Sequence, residues 1–333
     1  MRRPSLWLIA IAALVIVVVS VTRITDDEPG LASPVDTTSA PGGPTTTAGP
    51  VETTSTFAPA PALASGATVC DRYESIRDTG TIESTDLVEA SGLAVGRVSP
   101  DVLWSHNDSR GGAKLFAFDA AGNDLGAFEL PGIFAIDWED IAAGPGPDGS
   151  GNYLYVGDIG DNFAIRSGQI TIYRVPDADP ADLSGSFAEV VSLPFRYPDG
   201  THNAEAIFVD PIEPAIYVVT KDKAQALIFK GSLLPTGQEV ELENVATLFL
   251  DAEVSGGDIS WDGHVIALRG YQTVWMWNRP TGATVADAFN TDPCTAPAPE
   301  ERQGEAIVFD GDLGYWTVSE GKAPAIHAIP VEP

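Results

Sequence analysis

The chain has 333 residues, 44% of them hydrophobic, and a formal net charge of -29 at pH 7. That length and apolar content support one large all-β domain with a real core, and the acidity excludes a nucleic-acid partner, whose phosphates demand a basic surface. Cations are the partners such a charge favours.

The chain begins MRRPSLWLIAIAALVIVVVSVTRITDDEPG, and Pro4 to Thr22 carries no charge. About 19 residues make about 28 Å of helix, close to a membrane span. Arg2 and Arg3 precede it while Asp26, Asp27 and Glu28 follow, so the short end is expected in the cytoplasm and the remainder outside. No small-x-small cleavage site follows. Residues 1–28 are therefore read as an uncleaved single-pass anchor in the cell membrane, the alternative being a removed signal and a secreted protein. Residues 29–67, rich in Pro, Thr, Ser, Ala and Gly, are a disordered linker that cannot bury a core.

Residues 68–333 repeat. SGLAV from Ser91, WEDIAAG from Trp138, EAIFV from Glu205, GDIS from Gly257 and EAIVF from Glu305 each open a set of short apolar runs, spaced by roughly 48 to 66 residues. Gly, Pro, Asn and Asp separate the runs. Four strands per repeat predict a β-propeller of five four-stranded blades. A six-bladed arrangement, which would divide the second repeat, is the alternative. In the fourth repeat TVADAF (residues 284–289) supplies the weakest strand. The fifth repeat is one strand short, and the strand near residues 79–89 is expected to complete it from the other end of the chain. Cys70 and Cys294 are the only cysteines. In an exported protein they are expected to form a disulfide, which would lock that closure.

In a propeller the starts of first strands and the ends of second strands meet at one face. The pattern therefore gathers Asp137, Glu139, Asp140, Glu205, Asp258 and Glu305 with His106, Asn107, Asp108, Asp158, Asp161, Asn162, Asp222 and Glu320 at one mouth of the channel. Crowded hard oxygen ligands without a zinc-type Cys or His set predict a divalent cation, with calcium the first choice. Glu139, Asp140, Asp158, Asp161, Asn162, Glu205, Asp258 and Glu305 are its expected ligands. Lys221, Arg269 and Tyr271 at the same rim, with Lys223 and Trp138, are expected ligand contacts. Asp148, in the PDGSGN turn, is assigned to the opposite face. No nucleophile motif appears, so catalysis, if any, would be metal-assisted, with His106, His202 or Glu205 moving a proton.

The stretches ASGLAV, LWSHNDS, DWEDIA, YLYVGDIGDN and ITIYRVP resemble a group of exported bacterial propellers, found in actinobacteria and their relatives, most without an assigned activity. More distantly, a strand-opening Glu-Ala-Ile with a following DP turn is similar to blades of β-propeller phytases and of SdiA-regulated and gluconolactonase-like propellers. The phytase resemblance implies calcium held by Glu139, Asp140, Asp158, Glu205 and Glu305, with Lys221 and Arg269 on phosphate. Two functions are thus expected: an extracytoplasmic, monomeric calcium-binding propeller that engages a ligand or protein partner at its mouth, or a metal-dependent hydrolase of phosphoesters or lactones.

Overall fold

A computed structural model describes residues 67–108, 111–222, 225–234, 237–311 and 313–331. The anchor, nearly all of the linker, Arg110 and Lys223 lie outside the described residues. Among the described residues no helix is long and apolar enough to cross a membrane.

A 3-10 turn at Val69–Arg72 and strand β1 (Arg77–Thr81) precede the first blade, which is β2 (Ala90–Val95), β3 (Val102–Asn107), β4 (Lys114–Asp119) and β5 (Asp124–Glu129). The second is β6 (Trp138–Gly144), β7 (Tyr153–Asp158), β8 (Gln169–Pro176) and β9 (Val191–Arg196). The third uses β10 (Ala204–Val209), β11 (Ala215–Thr220) and β12 (Ala226–Ser232); after β13 (Val240–Glu241) it finishes with β14 (Glu243–Leu248). The fourth is β15 (Gly256–Ile259), β16 (Val265–Gly270), β17 (Thr273–Asn278) and, beyond helix α1 (Val285–Phe289), β18 (Cys294–Ala296). The fifth is β19 (Gly304–Phe309), β20 (Tyr315–Ser319), β21 (Ala325–Ile329) and β1. Within each blade successive strands pair antiparallel, giving the expected five-bladed propeller. The short β13 adds a parallel pairing to the outer edge of the second blade, Val240 opposite Phe195.

The innermost strands are buried along their whole length because neighbouring blades cover both faces, so they read as continuous apolar runs. The core lies between blades. Trp104 and Phe128 of the first pack on Trp138, Ile141 and Phe187 of the second, with Trp104 and Phe187 ring centroids 5.9 Å apart. Each such seam removes large aromatic area from water, the main favourable term for a flat blade.

The closing strand is shorter and earlier than residues 79–89. Only Arg77–Thr81 pairs with β21, Thr81 opposite Ala325, whereas residues 82–89 must cross from the rim of the ring to its centre to start β2. Ile82 and Leu87 are buried along that crossing. The fourth blade also differs from expectation. TVADAF is not a strand: Thr284 and Asp287 form a reciprocal capping box that starts helix α1, and Cys294–Ala296 is the outer strand instead. The disulfide Cys70–Cys294 therefore joins the approach to β1, in the fifth blade, to the edge of the fourth.

Candidate functional site

Four of the inner strands open with a β-bulge, and in three of them the residue left over is a glutamate. Pairing steps from Trp138 to Asp140, from Ala204 to Ala206 and from Gly304 to Ala306, so Glu139, Glu205 and Glu305 are each the unpaired residue. A bulge re-aims a side chain that the alternation would otherwise send into a seam. The fourth blade, with Gly257 at that place, has no such break.

The mouth so formed has two unlike halves. In the first, Asp108 from the end of β3, Asp137 before β6 and Glu139 bring carboxylate oxygens within 4.8 Å of one another. Asn162 hydrogen-bonds Asp137 at its edge. Among the described residues none of the three acids forms an ion pair, and Asp108 Oδ1 is buried with no hydrogen-bond partner. The β7–β8 loop lies directly against them: a Cβ at Gly160 would stand 2.1 Å from Glu139 Oε1, so a larger residue there would have to displace the carboxylates. Burial, with the charges of Asp137 and Glu205 nearby, pushes Asp108 up to about 7. Burial likewise raises Asp137, and it raises Glu139 well above the usual carboxylate range, Glu205 and Asp108 adding to the effect.

The second half carries its own cation. Lys221 Nζ is 3.1 Å from Glu205 Oε2 and 5.6 Å from the centre of the Tyr271 ring, while Asn203 Nδ2 donates to Glu205 Oε1 at 3.0 Å. Burial works against the Lys221 charge, but Glu205 and Glu305 more than offset it and hold its pKa above the ordinary lysine value. Glu305 is 3% exposed, and its Oε2 has no partner; burial, opposed by Lys221, pushes it up to about 8. A cleft of about 530 Å³ lined by Asp251, Tyr271, Gln272 and Arg302 opens beside this half.

The other expected site residues are placed elsewhere or already engaged. Asp140, next to Glu139 but on the other side of the strand, is fully buried in the ring and accepts from Ile141 N at 2.8 Å and Ile207 N at 2.9 Å, tying the second blade to the third. Gly92 makes room for it: a Cβ there would meet Asp140 Oδ1 at 2.7 Å. Asp258 accepts from Phe309 N at 2.8 Å, tying the fourth blade to the fifth, and burial pushes it up to about 7. Asp158 accepts from Ile136 N and Asp137 N, both at 3.1 Å, and is ion-paired to Arg166. Asp161 accepts from Ile165 N at 2.7 Å and Arg166 N at 3.1 Å. These two acids organise a loop and spend their oxygens on it.

His106 is fully buried against Trp138, 5.6 Å between centroids, and burial pushes it down to about 4. His202 is held by Asp199 at 2.8 Å beside Tyr197. Arg269 is fully buried, ion-paired to Glu301 and donating to Ala306 O at 2.6 Å, and so is withdrawn from the rim. Trp138 is equally buried, whereas Tyr271 stays at the cleft. Asp148 bonds Ser150 in the β6–β7 turn. Asp108 and Asp137 were gathered to the mouth by sequence but not assigned as ligands; the polar ends of LWSHND and of the run into WED were the available signal.

Fold and site together define a five-bladed β-propeller whose channel mouth holds a carboxylate cluster. No protein-family model matches the chain, and no curated protein matches it in sequence.

Proposed function

We propose that this propeller binds a divalent cation between Asp108, Asp137 and Glu139, and that the mouth is the face through which it engages a ligand or partner outside the cell, held at the membrane by residues 1–28. The observation that carries the reading is the convergence of three carboxylates, none of which forms an ion pair among the described residues. Their donor set, completed by Asn162 and water, is all hard oxygen, which suits calcium over zinc. Binding is favoured over hydrolysis because the two histidines are committed: His106 is sealed in the ring and His202 is bonded to Asp199.

Thermal denaturation of the full chain in calcium, magnesium and chelator tests this. Calcium should stabilise by about 2.7 kcal/mol at a hundredfold excess over its dissociation constant. Magnesium should act weakly, since it prefers a tight octahedron and keeps its water. Asp137→Asn should abolish the calcium response. Melting that is indifferent to calcium and chelator alike would overturn the metal site.

A further inference from the structure

Two loops beside the carboxylate cluster carry the same tripeptide, Phe134-Ala135-Ile136 before β6 and Phe163-Ala164-Ile165 after β7. Both expose it. Phe134 is 82% exposed, Ile136 51%, Phe163 85% and Ile165 72%. Side chains of that size normally go to a core, and four of them at one rim mark a surface that another molecule covers.

The loops are held from below. Asp158 takes Ile136 N and Asp137 N from the first loop, and Arg166 of the second donates to Asp158 O at 2.9 Å. Asp161 clamps Ile165 N and Arg166 N. Between the two apolar tips of the second loop, Ala164 has φ 52°, a left-handed conformation that costs energy for a residue with a Cβ. Gly160 seats the same loop on Asp137 and Glu139, so the tips border the acids.

We infer that the two Phe-Ala-Ile loops and the adjacent acids form a docking surface for a polypeptide segment of a partner protein that presents basic side chains between apolar ones. Charge complementarity selects this occupant. The described cations nearest the rim, Lys221 and Arg166, are each spent on a carboxylate, so the surface offers anions and apolar area together and repels an anionic bilayer. The inference rests on the mouth being the recognition face and not on the identity of its metal.

The test uses the full-length chain in detergent and a short fluorescein-labelled peptide alternating leucine and lysine, with one copy bearing glutamate for lysine and another serine for leucine. The leucine–lysine peptide should bind about tenfold tighter than either copy. Phe134→Ser combined with Phe163→Ser should weaken it about tenfold with an unchanged melting temperature, because both side chains are exposed. Ile212→Ser, in the β10–β11 turn at the opposite face, should leave binding unchanged. Equal binding of all three peptides, no binding of any, or full affinity in the double variant would overturn the inference. So would partition of the parent chain, but not the double variant, onto phosphatidylcholine or phosphatidylglycerol vesicles, which would make the loops a membrane-docking device. Calcium stabilisation measured on the parent chain separates the two proposals: no peptide binding with an intact calcium response overturns the docking surface alone, and peptide binding without a calcium response overturns the metal site alone.

Discussion

Blades one and two place Asp108, Asp137 and Glu139 at the mouth, where none of the three forms an ion pair among the described residues, while blades three to five place Glu205 and Glu305 around Lys221. The glutamates in both halves arrive by the same device, a bulge at the start of an inner strand. What separates them is one lysine at the end of β11. The ion pair with Lys221 makes one half a structural joint, and on the function proposed above the other half takes its cation from outside.

Removing the lysine is the hardest blow to that contrast. Lys221→Met should leave Glu205 and Glu305 buried without a counter-charge and cost about 3–5 kcal/mol in denaturant unfolding at neutral pH. Added calcium should recover part of it by occupying the vacated position; an unchanged stability would show the halves to be equivalent. Asp258, inside the ring and away from either half, tests burial without convergence. An acid whose pKa is raised by folding holds its proton more tightly in the native state than in the unfolded chain. Its stabilising contribution is therefore complete below about pH 4 and is lost as pH rises through about 7. Three units at 1.36 kcal/mol each set an upper bound of about 4 kcal/mol, and Asp258→Asn should flatten the stability profile across that window.

Isosteric neutralisation should have opposite signs in the two halves. In chelator, Glu205→Gln should destabilise by about 2 kcal/mol by stripping a charged partner from Lys221, whereas Asp137→Asn should stabilise by about 1 kcal/mol by relieving repulsion. Two changes of the same sign would break the comparison. Smallest of all, Asp148→Ala in an exposed turn should shift stability by no more than about 0.5 kcal/mol and leave the calcium response intact.

Blade count and closure were legible because each inner strand repeats one short pattern and the last repeat lacks a strand. The helix in place of TVADAF was legible in principle, through Thr284 and Asp287 three apart, but helix and strand compete evenly over so short an apolar run. The site was legible only as a region. Neighbours such as Glu139 and Asp140 look alike in sequence, yet the bulge leaves Glu139 unpaired at the mouth while Ile141 N and Ile207 N hold Asp140 in the ring interior. Asp158 and Asp161 stand in the same repeat as Asp137 and Glu139, and only the positions of backbone N–H groups show that loops claim them. Arg269 reads as a rim cation until Glu301, distant in sequence, is seen to cover it.

The disulfide has a mechanical consequence. Cys70 precedes the closing strand, so tension carried along the chain ahead of residue 68 reaches the Cys70–Cys294 bond before it reaches β1. Load passes into the outer strand of the fourth blade, and the five-residue pairing of β1 with β21 is spared the peeling force. Reduction reroutes the same pull onto the Tyr73–Val331 bridge and then onto β1, which opens from its Arg77 end. In single-molecule extension by the N-terminus, the oxidised ring should therefore yield at higher force than the reduced one, and the reduced ring should lose its clasp first.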